Sequence, residues 1–405
     1  MTRRKEEPTM SKPANTTSDF LDYTSLLGPE EQAELNRVRE YLATEIKPLA
    51  EKAWDASEFP KDLFKKLAPL GTAAGSYPEY SRVQVTPHSE LLAGFIRIEM
   101  NKTDPSFAVA AGVHTGLAMG SVAGGGDEEQ RQRWLPDMVD MSLIGAFGLT
   151  EPEGGSDVSG GMRTTATRDG DEWVLNGAKR WIGNATFADL VVVYARDTAD
   201  DQVKAFVVEK GTEGFHAEKI QGKISLRTVE NADLTLTNVR VPEKNRLQNI
   251  NGFRDVAKIL RDTRGDVAWQ ATGVAMRAYE VAREYATTRV QFGKPIGGFQ
   301  MIQDLLVKML SNVTAMMGMV IRLGQLAENK EDSSAQAALA KAFCTTRMRE
   351  TVAWGRELFG GNGIVLEYEI AKLFADAEAI YSFEGSREMN TLIVGKNITG
   401  LSAFA

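Results

Sequence analysis

The chain has 405 residues, 43% hydrophobic and 25% charged, which suits a globular protein with a large core divided among roughly one to three domains. A net charge of −8 argues against a nucleic-acid surface. The single cysteine, Cys344, excludes a disulfide framework or thiolate cluster, and His88, His114 and His216 are too scattered for a local metal motif.

The opening stretch MTRRKEEPTMSKPANTTSDF has no hydrophobic region of the secretory kind and reads as a disordered polar tail over residues 1–20. No apolar run reaches the roughly 20 residues that span a bilayer, so no membrane insertion and a cytoplasmic location are expected. Residues 21–144 carry a helical period. Leu35, Val38, Leu42, Ile46 and Leu49 step by three and four, and Pro29 stands where a first helical turn tolerates it. Further helical stretches follow around Lys61–Leu67 and Ser89–Asn101. The small-residue run FAVAAGVHTGLAMGSVAGGG predicts a close-packed buried helix.

The period then changes. EWVLNGAKRWIG predicts a β-hairpin turning at Asn176-Gly177, the dipeptide favoured by a type I′ turn. LVVVYAR, KAFVVEK and ADLTLTNVRVP continue as strands with no long amphipathic helix between them. An antiparallel β domain is therefore expected over residues 145–251 rather than a doubly wound parallel sheet. From residue 252 to 405 the helical period returns. Val267, Ala271, Val274, Ala278, Val281 and Tyr285 mark one stripe, and Ile302 to Leu323 a second whose methionines read as core packing. Ser333 with Gln336 suggests a capping box opening a third helix, and Gly360-Gly361 its close. The fold class is α+β: helices, a central antiparallel β domain, then a C-terminal helical bundle.

One carboxylate stands out. Glu384 lies between the apolar run Ile380, Tyr381 and Phe383 and a glycine, in AIYSFEGSREMN. The bland reading is a solvated turn. The sharper one is a general base in an apolar pocket, with Gly385 letting a substrate approach the backbone. There is no Walker loop, dinucleotide fingerprint, nucleophile elbow or zinc-helix motif to offer another chemistry. Three unusual loops remain. FGLTEPEGGSD can present backbone N–H groups, KRWIGNATFADL puts Trp181 on a turn, and TTRVQFGKPIGGFQ carries Arg289, Gln291 and Gln300 around glycines, a cradle suited to phosphate.

Together and in this order, GLTEPEGGSD, KRWIGN, RVQFGKPI, ELFGGNGI and FEGS resemble the acyl-CoA dehydrogenase family over residues 22–404. The branch most similar holds glutaryl-CoA dehydrogenases and plant short-chain acyl-CoA oxidases, whose ITGLSAF ending is shared. The resemblance implies the family fold and FAD as cofactor. It implies that Glu384 is the base that takes the α-proton of an acyl-CoA while the β-hydrogen leaves as hydride to the flavin. The thioester carbonyl would accept hydrogen bonds from the N–H of Glu384 and from a ribityl hydroxyl, with Gly385 against the thioester.

The remaining contacts carry over from the same resemblance. Phe147, Leu149, Thr150, Gly155 and Ser156 would line the isoalloxazine, Ser156 also lying near CoA. Trp181, Ile182 and Gly183 would pack on the flavin. Arg289, Gln300 and Glu357, Leu358, Phe359, Gly360 and Gly361 would reach the FAD of a neighbouring subunit, so a homotetramer is implied. Ser386 and Phe404 would touch FAD, and Arg264 would lie near the CoA portion unless it only pairs with Asp262 or Asp266. Electron-transferring flavoprotein is the implied acceptor. Gly183 replaces the threonine whose hydroxyl usually bonds the reactive flavin nitrogen, which keeps an oxidase, passing electrons to oxygen, as the alternative. A silent FAD-binding scaffold is a third reading, opposed by the intact FEGS motif. Glutaryl-CoA members hold the distal carboxylate with an arginine and a serine; DPSFAVAAGVHTG has Ala108 and Gly112 there. A short, uncharged acyl chain is therefore expected, with Ala108 in the pocket wall; glutaryl-CoA dehydrogenase stands as a further alternative.

Overall fold

The structure, a computed structural model, describes residues 17–60, 62–85 and 87–403. Most of the expected polar tail, together with Lys61 and Phe404, lies outside them. The tail reading does not extend to residue 20. Ser18 is buried and its hydroxyl donates to Glu280 Oε1 at 2.6 Å, while Asp19 accepts from the N–H groups of Tyr23 and Thr24.

The first part is helical: α1 (Pro29–Tyr41), α2 (Lys47–Ala56), α3 (Leu63–Leu67), α4 (Thr72–Ser76), α5 (Glu90–Thr103), α6 (Pro105–Gly112), α7 (Met119–Gly125) and α8 (Glu128–Val139). The expected stripe is the buried one, since Leu35, Val38, Leu42 and Ile46 are each at most 2% exposed. Asp104 opens α6 by accepting from the Phe107 N–H at 2.7 Å, with Pro105 in the first turn. A π-helical segment, Val113–Ala118, joins α6 to α7, so residues Pro105–Gly125 form one helix.

The middle part is a seven-stranded sheet of β1 (Gly145–Gly148), β2 (Thr165–Asp169), β3 (Glu172–Gly183), β4 (Leu190–Asp197), β5 (Val203–Glu209), β6 (Phe215–Lys219) and β7 (Asn231–Pro242). The order is β1-β4-β2-β3-β7-β6, with β5 on β4. Two expectations change here. Asn176-Gly177 is no hairpin turn: β3 runs straight through it, with a bulge at Gly177 (φ 148°), whose missing side chain clears Thr164. The turn falls at Gly170-Asp171, where Gly170 takes φ 62°. The sheet is also mixed, because β1 and β2 both pair with β4 in parallel.

The last part comprises α9 (Phe253–Thr288), a small ribbon of β8 (Val290–Gln291) and β9 (Lys294–Pro295), α10 (Gln300–Glu328), α11 (Ser334–Leu358), α12 (Glu369–Ser382) and α13 (Arg387–Thr399). Ser333 makes no side-chain cap; Asp332 accepts from the Ser334 N–H instead. Gly360, with φ 59°, does follow the end of α11. By length and composition the helix Pro105–Gly125 and α10 could each cross a membrane, contrary to the expectation from apolar runs, because polar and small residues interrupt both stretches. In the fold both pack against α9.

A buried junction ties the three parts together. Asp376 of α12 accepts from Trp54 Nε1 (3.0 Å) and from the Leu226 N–H (2.6 Å), and Lys372 bonds Asp104. Burial pushes the Asp376 carboxyl up to about 6 despite the Lys372 charge. The junction fixes α12, and α12 delivers Glu384.

Candidate active site

Buried Ile370, Leu373, Ala377 and Ile380 seat α12 on the core, and Phe383 ends it in an extended conformation. Glu384 and Gly385 follow at φ 55° and 80°, two successive left-handed residues. Glycine adopts this freely, whereas a glutamate there costs on the order of 1–2 kcal/mol. Ser386 then caps α13 by accepting from the Met389 N–H at 3.3 Å. The Glu384 carboxylate turns towards α9, where Thr263 Oγ1 donates to its Oε2 at 3.0 Å. Burial raises its pKa above the ordinary carboxylate value, opposed by the Thr263 bond and by the charges of Arg264 and Lys341. Lys341, fully buried on α11, donates to the carbonyls of Tyr381 (3.0 Å) and Gly385 (2.6 Å), on either side of Glu384.

The Pro105–Gly125 helix stands between this carboxylate and the β domain. A Cβ at Gly116 would sit 3.8 Å from Thr263 Cγ2, one at Gly112 3.9 Å from Gln270 Nε2, and one at Gly183 3.1 Å from Val113 Cγ2. One flank of the helix therefore faces the α9 residues behind Glu384. The other touches the turn that ends β3. Ala108 is buried on the same helix.

That turn is held by a buried ion pair. Lys179 Nζ bonds Glu151 Oε1 (2.8 Å) and the Leu149 carbonyl (3.1 Å), and Glu151 accepts from the N–H groups of Arg163 and Thr164. Burial pushes the Lys179 ammonium down to about 8. Burial alone would raise Glu151, but Lys179 and these donors hold it below its usual value. The Arg180 N–H donates to the Thr150 carbonyl at 2.8 Å, locking the two loops together. Trp181 emerges at φ 66°, 51% exposed, with Asn231 bonding its carbonyl. Phe147, Leu149 and Ile182 are buried, whereas Gly155 and Ser156 lie on the surface near Thr150 in sequence.

Arg289, Gln300 and Glu357–Gly361 are not brought to this site. Arg289 follows Thr263 by 26 residues of nearly unbroken helix, roughly 39 Å along α9. There Tyr285 stacks on Phe359 at 3.9 Å between ring centres and bonds Asn362, burying Phe359 beside buried Leu358. Arg289, Gln300, Glu357, Gly360 and Gly361 remain exposed. Arg264 is half-buried near Glu384, and no acceptor meets its Nε among the described residues. Sequence reasoning missed Thr263, Lys179, Glu151 and Lys341. A lone lysine within an apolar run, as in AALAKAF, was the available signal for the last.

Helices, a mixed sheet and a second set of helices, with a carboxylate of raised pKa held in a left-handed turn and an exposed tryptophan near the end of β3, define a three-part helix–sheet–helix class. Family models for the acyl-CoA dehydrogenase N-terminal, middle and C-terminal domains match residues 28–142, 146–239 and 251–399. The chain belongs to the acyl-CoA dehydrogenase family, oxidoreductases acting on the CH–CH bond of acyl-CoA. It is 33% identical to an acyl-CoA dehydrogenase of Bacillus subtilis over 90% of this chain and 96% of that one. A glutaryl-CoA dehydrogenase from Mycobacterium smegmatis in complex with FADH2 superposes with a TM-score of 0.91 at 32% identity, covering 96% of this chain and all of that one. Butyryl-CoA dehydrogenase from Megasphaera elsdenii gives 0.87 at 29% identity, covering 92% and 98%.

Proposed function

We propose that the protein binds FAD and oxidises a short, uncharged acyl-CoA to the trans-2-enoyl-CoA, with Glu384 as the base. The observation that carries this reading is a glutamate of raised pKa, held by Thr263 on the side of α9 that faces the Pro105–Gly125 helix. The cradle fits a flat cofactor: an exposed Trp181 on a fixed turn, a glycine at residue 183, and polar backbone at residues 149–156 tied by Lys179 and Arg180. FAD, when bound, accepts the β-hydrogen as hydride. Glu384 takes the α-proton. Among the described residues no acceptor meets the Glu384 backbone N–H, which leaves it for the thioester carbonyl. Gly385, at φ 80°, keeps the approach open.

An uncharged acyl tail follows from the wall. Ala108 and Gly112 offer no cation, and His114 cannot substitute. Its Nε2 donates to the Met138 carbonyl (2.9 Å), its Nδ1 accepts from the Gly145 N–H (3.1 Å), and burial pushes it down to about 4. An unpaired carboxylate there would cost several kcal/mol.

The separation of roughly 39 Å along α9 supports a neighbouring copy in the assembly, and the family resemblance makes that assembly a homotetramer. Arg289 and Gln300 could serve a flavin only on a neighbouring copy, and exposed Phe292 (95%) and Met301 (82%) flank them. Electron-transferring flavoprotein is the preferred acceptor. Gly183 favours oxygen as the second reading, because the position lacks a hydroxyl. Stopped-flow mixing of the substrate-reduced protein with air separates the two: slow reoxidation supports the dehydrogenase, and reoxidation at the turnover rate the oxidase.

A further inference from the structure

Lys341 needs an explanation. Its side chain is fully buried on an otherwise apolar stretch of α11, where an ammonium is expensive to hold without a partner. Among the described residues its two hydrogen-bond partners are backbone carbonyls. One is that of Tyr381, among the last-turn carbonyls of α12 that lack a helical donor. The other is that of Gly385, which also accepts from Asn390 Nδ2 at 3.0 Å. The two carbonyls bracket Glu384, whose left-handed backbone would relax if it were free to do so.

We propose that Lys341 is a positioning residue: its ammonium clamps the Tyr381 and Gly385 carbonyls and so holds Glu384 in the turn that aims its carboxylate and N–H at the thioester. The inference rests on the reading of Glu384 as the base. The clamp has a second consequence. Burial lowers the Lys341 pKa to about 8, so the group is charged at neutral pH and eases ionisation of Glu384. Arg264 and Asp266 face the carboxylate from α9, and Arg264 and Glu388 of α13 face Lys341. Two variants separate charge from geometry. Lys341→Met removes both; Lys341→Arg keeps a cation but moves its donors.

The test uses the flavin-loaded full chain with butyryl-CoA as probe. It reads the rate of flavin bleaching, the binding constant, the pH profile, and amide hydrogen exchange over residues 381–386. Lys341→Met should slow bleaching by roughly 100-fold, the usual effect of displacing a reacting group by about an ångström, with binding changed less than about threefold. Its apparent pKa should move up, and exchange should quicken. Lys341→Arg should slow bleaching by about tenfold at an unmoved pKa. Parental bleaching by either variant overturns the proposal, as does a loss confined to melting temperature or flavin content. Should the methionine variant not fold, the arginine variant decides alone. A Glu384→Gln control separates the two claims. If it bleaches normally the base is misassigned; if it is inert while both Lys341 variants behave as the parent, only the clamp fails.

Discussion

Thr263 Oγ1 lies 3.0 Å from Glu384 Oε2, joining α9 to the turn that closes α12. The bond opposes burial. Desolvation makes the carboxylate a better proton acceptor, and the hydroxyl with the nearby Arg264 and Lys341 charges limits that gain. A general base works best with a pKa brought towards the working pH, yet it must remain ionised to act. On the proposed reading of Glu384 as the base, both demands meet at this contact.

That balance is unfavourable to folding at neutral pH. A carboxyl whose folded pKa exceeds its unfolded value favours the fold fully only below the unfolded value, here 4.5, and loses that contribution as pH rises through the folded one. Glu384→Gln should therefore melt at a higher temperature than the parent at pH 8, with the gap narrowing towards pH 4.5. Melting curves at matched flavin content check this. An unchanged gap would mean that the carboxylate is not desolvated.

The Lys179–Glu151 pair, 0% and 6% exposed at the side chains, should behave oppositely. Lys179→Met strands a buried carboxylate and should cost about 3–5 kcal/mol. It should also loosen residues 149–151, so flavin content should fall with stability. Denaturant melts and the flavin-to-protein absorbance ratio measure the two together.

The order of helices, strands and helices was legible because hydrophobic period changes from helical to alternating and back. Glu384 stood out too, in poor company for a solvated turn, and the structure gives its carboxyl a raised pKa. The bulge at Gly177 was not: Asn-Gly permits a type I′ turn, but β7 pairs with β3 on both sides of it and keeps the strand running. The parallel β1–β4 pairing depends on residues some forty-five apart meeting, which no local pattern encodes. Thr263 and Lys341 escaped for the same reason. Their partners lie 121 and 44 residues away.

Gln270 sets an expectation about chain length. It lies seven residues beyond Thr263 on α9, roughly 10 Å along the helix, facing Gly112, and its Oε1 has no partner among the described residues. As the floor of the acyl pocket it would admit about four to six carbons. Gln270→Ala should move the preference from butyryl-CoA towards octanoyl-CoA by about tenfold or more in kcat/KM. Glutaryl-CoA should bleach neither form efficiently. A parental chain-length profile would place the floor elsewhere.

On the proposed reading that Arg289, roughly 39 Å along α9 from Thr263, serves the flavin of a neighbouring copy, Arg289→Ala should weaken flavin retention and assembly together. Size-exclusion chromatography and flavin content, read on the same fractions, should fall in step. An intact oligomer with full flavin would count against the shared site.

The central claim is that Glu384 removes the α-proton, and anaerobic single-turnover bleaching of Glu384→Gln tests it most directly. The substitution nearly preserves shape, so the variant should remain yellow and bind butyryl-CoA while bleaching at below about 1% of the parental rate. Bleaching at more than a few per cent would assign the proton to another residue.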